Sequence, residues 1–134
     1  MNVIIGDTCP AGCVFCEMAA AGRWIGCNER AFAIRDSSPV TPLHTLILPK
    51  RHVADFFLCT DEERRDIMVL LFRAKEEILE GDLSVSGFNV GVNIGKSAGQ
   101  TVFHVHVHLI PRRDGDVKNP RGGVRGVIPE KQSY

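Results

Sequence analysis

The stretch Val102-Phe103-His104-Val105-His106-Val107-His108-Leu109-Ile110 holds three of the chain's five histidines, alternating strictly with apolar residues. Alternation is the period of a β-strand, whose side chains point to opposite faces in turn. The pattern predicts a strand with Phe103, Val105, Val107 and Leu109 toward a core. His104, His106 and His108 then line the other face. Imidazoles two positions apart on a strand sit roughly 6.6 Å apart, a span that a phosphate chain or a metal ion can bridge. By itself the row fits phosphate chemistry, a metal clip of neutral imidazoles, or the polar face of an antiparallel sheet.

The residues just upstream bear on that choice. Gly95-Lys96-Ser97-Ala98-Gly99-Gln100 is a short loop whose glycines let backbone N–H groups approach an anion. Gln100 and Thr101 add neutral donors beside His104. Phe88-Asn89-Val90-Gly91-Val92-Asn93 alternates as a strand and brings Asn93 to the same neighbourhood if the two strands pair. The same loop also reads as an ordinary hairpin connection.

Further out, Ala31-Phe32-Ala33-Ile34-Arg35 and Leu43-His44-Thr45-Leu46-Ile47-Leu48 read as strands, separated by the turn residues Asp36-Ser37-Ser38-Pro39. Thr60-Asp61-Glu62-Glu63 is a capping box, with Thr60 as N-cap. The helix that follows places Ile67, Leu70, Leu71, Ala74 and Ile78 on one stripe and stops at Gly81. Cys13–Ala21 is rich in helix formers and ends at Gly22, which predicts a short helix. From Pro111 onward the chain is rich in Gly, Pro and Arg and reads as irregular. Helices and strands in this order define an α+β unit.

Bulk properties bound the function. The 134 residues fit one domain, 1–134, with 112–134 as a basic tail, and can bury a real core. Lys plus Arg equals Asp plus Glu at 16 each, so a surface built to coat nucleic acid is not favoured. No apolar run reaches membrane-spanning length, and no signal-peptide h-region opens the chain. Five cysteines, an odd number, in a chain without an export signal point to a reducing, cytoplasmic setting with thiols held for metal or buried.

Taken together, these features resemble the histidine triad (HIT) family of nucleotide hydrolases and transferases. Gly99-Gln100-Thr101-Val102-Phe103-His104-Val105-His106-Val107-His108-Leu109-Ile110-Pro111-Arg112 is similar to that family's signature. His44-Thr45-Leu46-Ile47-Leu48-Pro49-Lys50-Arg51-His52 is similar to its second block. Asp36 falls where the family places a ribose-binding acid. The resemblance implies a HIT-like fold, an antiparallel sheet of about five strands with one long and one short helix. It implies that His106 attacks the α-phosphorus of a nucleotide, forming a nucleotidyl-histidine intermediate that water then resolves. His108 would stabilise charge on a non-bridging oxygen. His44 would sit behind the nucleophile and orient it. Asn93, Gln100 and Thr101 would contact the phosphates or leaving group, and Asp36 the ribose. Val14, Phe15, Met18 and Ile34 map to the nucleobase pocket. From spacing alone His44 is equally a core histidine, Asp36 a turn residue, and the first three of those apolar residues the buried face of a short helix.

Cys13-Val14-Phe15-Cys16 is a C-x-x-C pair, which can clamp zinc given two further ligands. In bacterial members the resemblance supplies those ligands at positions that are His52 and His104 here. One structural Zn2+ per chain would follow, with His104 withdrawn from phosphate. Cys9 is an alternative ligand, and plain buried cysteines remain open. The resemblance also implies a homodimer whose two-fold interface extends the sheet or pairs the long helices. The function the resemblance implies first is hydrolysis of dinucleoside polyphosphates of the diadenosine tetraphosphate type; the alternatives are a purine nucleoside phosphoramidase and a nucleotide-binding, zinc-stabilised interaction module. The tail from Arg112 to Tyr134 has six basic and three acidic residues. If Arg121 and Arg125 reach an extended phosphate chain, the first is favoured.

Overall fold

Strands with different alternations divide the molecule into two layers around one sheet. The computed structural model describes residues 9–134, so the reading of an absent export leader rests partly on residues outside that range. Five strands, β1 (Gly26–Cys27), β2 (Ala31–Arg35), β3 (Thr45–Pro49), β4 (Val85–Val92) and β5 (Val107–Arg113), pair antiparallel in the order β1-β2-β3-β5-β4. Helix α1 spans Val14–Ala21 and helix α2 spans Asp61–Gly81. Two residues carry no period, which is why β1 is not legible in the sequence.

Helix α2 covers one face. Its stripe of Ile67, Leu70, Ala74 and Ile78 packs on Ala31, Ala33, Ile47, Val105, Val107 and Leu109. Helix α1 covers the other, where Phe15 and Ala19 meet Phe32, Ile34, Leu46 and Leu48. β2 thus turns alanines toward the long helix and larger side chains toward the short one. Small residues let a helix lie close to a sheet, while large ones fill the gap left by a helix of two turns.

Helix α2 begins at its capping box and α1 ends at its glycine as expected, whereas Gly81 is the last helical residue of α2 and is followed by the extended Asp82, so no left-handed glycine caps that end. Thr60 Oγ1 accepts the Glu63 N–H and the Glu63 carboxylate accepts the Thr60 N–H, closing the capping box. Gly22 takes a left-handed conformation at φ 67°, and its N–H and that of Arg23 reach back to the last carbonyls of α1.

The histidine stretch departs from expectation. β5 begins only at Val107, so His108 alone of the three histidines lies on a strand; His104 and His106 lie in the approach to it. The reason is a change of partner. The Val105 N–H donates to Val53 O, which ties this segment to the loop after β3 instead of to the β4 ladder. Alternation survives as burial on the Val105, Val107 and Leu109 side. Phe103, expected in the core, is 47% exposed. At its far end β5 takes in Pro111–Arg113, so the irregular tail starts after Arg113. There the chain forms short 3-10 turns at Gly123–Val127 and Pro129–Lys131.

Candidate active site and metal centre

The antiparallel pairings bring four separated segments together on the α1 side of the sheet. β3 pairs with β5 so that Leu46 lies opposite His108, and β4 pairs with β5 so that Gly91 lies opposite His108. His44 enters just before β3, and Asp36 just after β2, where the Asp36 N–H donates to His44 O. A cavity of about 430 Å³ results. Val14, Phe15, Met18 and Ile34 line it, together with Asp36, Asn93, Thr101, His106 and His108.

Hydrogen-bond partners fix each imidazole. His106 Nδ1 lies 2.9 Å from His104 O. A carbonyl only accepts, so Nδ1 carries the proton and Nε2 keeps its lone pair. His104 Nε2 lies 2.8 Å from Pro49 O, so by the same logic His104 keeps its lone pair on Nδ1. His44 Nδ1 accepts the Val40 N–H at 3.0 Å, which leaves the His44 proton on Nε2. That Nε2–H donates to His108 Nδ1 at 2.9 Å, with the Asp36 carboxylate 3.5 Å away. His108 therefore carries its proton on Nε2 and is itself a donor.

This corrects one expectation. His44 backs His108, not His106; the nucleophile candidate is held by a main-chain carbonyl instead. A second correction concerns Gln100. Its side chain is buried, accepts the Gly95 N–H, and donates to Ala54 O and Val102 O. It shapes the loop before the histidines and does not line the cavity. Asp36 is both a cavity residue and an Asx-turn residue, accepting the Ser38 N–H at 2.8 Å. Gly99, from the glycine loop expected near an anion, lines the cavity, and Arg35, Ser37, Ser38, Leu46 and Val102 line it without having been singled out in the sequence. They are strand, turn and core residues by type, so nothing local marked them.

Burial favours the neutral form of His44, His52, His104 and His108. It pushes the His108 pKa down to about 4, helped by the neighbouring His106 and His44 rings. Burial also pushes His104 down to about 4, against a hydrogen bond to Pro49 that favours its charged form. His44 and His52 are lowered too, chiefly by burial. Phe15 supplies part of that burial, its ring 5.9 Å from His104 and 5.2 Å from His106.

Behind His104 the four expected metal ligands converge. The donor atoms of Cys13, Cys16, His52 and His104 all lie within 4.8 Å of one another. Cys16 Sγ is 3.3 Å from His52 Nδ1 and 3.5 Å from His104 Nδ1; Cys13 Sγ is 3.6 Å from His104 Nδ1. Ideal zinc bonds in a tetrahedron place sulfur and nitrogen about 3.6 Å apart, so the donor set fits the ion in type and spacing. The lone pair of His104 Nδ1 faces these sulfurs because Nε2 is held by Pro49 O.

One feature conflicts with the expectation of free thiols. Cys16 is bonded to Cys9 in a disulfide, while Cys13, Cys27 and Cys59 are free. A disulfide sulfur is not a thiolate, so the bond and a metal are alternative uses of Cys16. In this arrangement Cys9 is the disulfide partner of Cys16.

His52 owes its position to a contact that the sequence half revealed. Arg51 donates twice to the Glu63 carboxylate, at 2.8 Å each. Glu63 is thus both the capping-box acid of α2 and the anchor of the His52 loop. Burial opposes its ionisation, but the hydrogen bonds from Arg51 and Thr60 outweigh this and hold its pKa below the ordinary value.

The HIT domain family model matches residues 19–115, about three quarters of the chain. The chain belongs to the HIT domain family. It is 38% identical over 105 residues to an uncharacterised HIT-like protein of Mycoplasma genitalium, covering 76% of this chain and 74% of that one. It is 38% identical to the bis(5'-adenosyl)-triphosphatase of Dictyostelium discoideum, covering 69% of this chain and 61% of that one. Among solved structures, a Zn-bound histidine triad family protein from Mycobacterium smegmatis superposes with a TM-score of 0.73 at 35% identity. That match covers 81% of this chain and 80% of the other.

Proposed function

We propose that the chain hydrolyses a nucleotidyl bond in two steps, with His106 as nucleophile. The observation that carries this is the tautomer of His106, with Nδ1–H held by His104 O and Nε2 free at the edge of the cavity. Nε2 attacks the α-phosphorus, and the leaving group departs with the bonding electron pair and takes a proton from solvent. The cationic, phosphorylated ring keeps Nδ1–H on the carbonyl, which stabilises it. Water then attacks phosphorus, releases the nucleoside monophosphate and restores neutral His106. His108, made a donor by the chain from Val40 through His44, offers Nε2–H to a non-bridging oxygen. Asp36 takes the ribose hydroxyls, and Val14, Phe15, Met18 and Ile34 take the base. Asn93 and Thr101 contact the phosphate.

Two substrate classes are in reach. The relative from Dictyostelium, named a dinucleoside triphosphatase, favours a dinucleoside polyphosphate. The tail favours a nucleoside phosphoramidate, because Arg121 and Arg125 stack on Tyr134 at 5.0 and 4.9 Å and not on the site. The test of the shared mechanism is His106. His106→Asn should abolish turnover of both classes while nucleotide binding persists. The wild type, acid-quenched during turnover, should carry one nucleotidyl mass on His106. More than a few per cent of wild-type kcat in His106→Asn would rule the covalent route out.

A structural zinc ion on Cys13, Cys16, His52 and His104 completes the reading. It would hold the start of α1 against the loop after β3 and supply no open position for substrate. We also read the chain as a cytoplasmic homodimer. β4 forms one edge of the sheet, and the outer side of α2 exposes Met68, Val69 and Phe72. No helix among the described residues is long and apolar enough to cross a membrane.

A further inference from the structure

Three of the five cysteines fall within eight residues, from Cys9 to Cys16. Cys9 is bonded to Cys16, and Cys13 is free. The two uses of Cys16 attach this segment to different things. The disulfide closes a loop between residues seven apart and reaches nothing else. The donor set joins Cys16 to His52 and His104, 36 and 88 positions away, and so to the loop after β3 and the approach to β5.

What holds α1 besides that link is small. The helix spans eight residues, well under the roughly 12–15 that an isolated helix needs in water. Its N-cap, Cys13, makes no side-chain cap hydrogen bond. It docks on the sheet through Phe15 and Ala19. Yet α1 supplies Val14, Phe15 and Met18 to the cavity that His106 lines. The imidazoles do not depend on α1 in this way: His106 Nδ1 is held by His104 O, and His104 Nε2 by Pro49 O.

We propose that Cys9 and Cys16 form a thiol–disulfide switch on nucleotide affinity, driven by a low-molecular-weight disulfide. The inference rests on reading this cavity as the nucleotide site and Cys13, Cys16, His52 and His104 as a zinc site. Burial sets the order of events. Cys9 is partly exposed and Cys16 only 4%, so the small disulfide meets Cys9 first. The Cys9 sulfur gives its proton to solvent and attacks one sulfur of the oxidant; a mixed disulfide forms and one small thiolate leaves. The Cys16 sulfur then attacks the Cys9 sulfur, and the second small thiolate leaves. The two protein sulfurs lose two electrons, the oxidant gains them, and each small thiolate takes a proton from solvent. Cys13, His52 and His104 remain, one short of a closed tetrahedral set, and α1 keeps only its packing. The base pocket is then seated for a smaller fraction of the time, and apparent affinity falls by that fraction while His106 keeps its orientation. Excess small thiol reverses both exchanges. The four donor atoms still lie within 4.8 Å of one another in the disulfide form, so reduction restores the site without rearrangement.

The test uses zinc-loaded wild type, oxidised glutathione as the disulfide and AMP as the nucleotide probe. Peptide mass mapping should find a Cys9–Cys16 bond, and a chromophoric chelator should register one zinc released per bond formed. Calorimetry should show the AMP Kd raised at least about tenfold by oxidation and restored by excess reduced glutathione. Cys9→Ser under the same oxidant should keep its zinc and its AMP affinity; zinc loss from this variant would remove Cys9 from the switch and overturn it. A Cys9–Cys16 bond that leaves the AMP Kd unchanged would also overturn the switch, while the nucleotide and zinc readings stand. Reduced protein that binds AMP but no zinc would sink the switch together with the metal reading. Reduced, zinc-loaded protein that does not bind AMP would sink it together with the nucleotide reading.

Discussion

At His108, burial and two neighbouring imidazoles act in one direction. Its folded pKa of about 4 lies below the ordinary 6.5, and His44 is lowered as well. Between those values the unfolded chain binds more protons than the folded one, so stability rises with pH across this window. The melting temperature should be flat above about pH 7 and fall steadily as pH drops from about 6.5 toward 4. His108→Asn, which removes one of these groups, should show a shallower fall in a thermal scan series. The same slope in both proteins would mean that His108 is not held neutral by the fold. His44 Nε2 holds His108 Nδ1, which on the proposed mechanism makes it a positioning residue. His44→Gln, whose amide can accept from Val40 but orients His108 poorly, should lower kcat by roughly tenfold or more with little change in KM. A change in KM alone would place His44 in binding instead.

The elements matter through their ends. The first turn of α2 holds Glu63, and Glu63 holds Arg51 and so His52. Arg51→Ala leaves that buried carboxylate with Thr60 alone and should destabilise the fold by about 2–3 kcal/mol. It should also weaken zinc affinity, because the His52 loop loses its anchor; unchanged zinc affinity by competition with a chelator would refute that link. The start of α1 carries the two cysteines of the proposed zinc site. Protein purified under reductant should hold close to one zinc per chain by elemental analysis, and Cys16→Ser should lose it along with thermal stability. Cys9→Ser should bind zinc without reductant, because the disulfide at Cys16 is made with Cys9. If Cys9→Ser still needs reductant, the competition between bond and ion is not what limits the site.

For the whole molecule the open question is assembly. The sheet has β4 at one edge, and α2 presents Phe72, 65% exposed, on the side away from its own core. Light scattering at micromolar concentration should give twice the chain mass, and Phe72→Asp should shift it toward the monomer. A wild-type monomer would leave these apolar groups as ordinary surface. Within one chain a second cavity shares Asp36, Ser38, Asn93 and His108 with the cavity that His106 lines.

Local pattern determined much of this. Capping chemistry marked the start of α2, and the apolar run of residues 31–35 bounded by turn residues gave β2 within its bounds, because these signals depend only on neighbours in the chain. The identities of the histidines and cysteines also named the chemistry. What the sequence could not carry was partner choice. The hydrogen bond from Val105 to Val53 pulls His104 and His106 off the strand. The His104 carbonyl, and not a side chain, fixes His106. His44 stands against His108, Gln100 turns inward, and Arg121 and Arg125 close on Tyr134. Each of these is settled by a contact between residues far apart in sequence or by a main-chain atom with no residue type to read. Only the folded chain brings those atoms within reach of one another, and the donor and acceptor count then leaves His44, His104, His106 and His108 a single tautomer each.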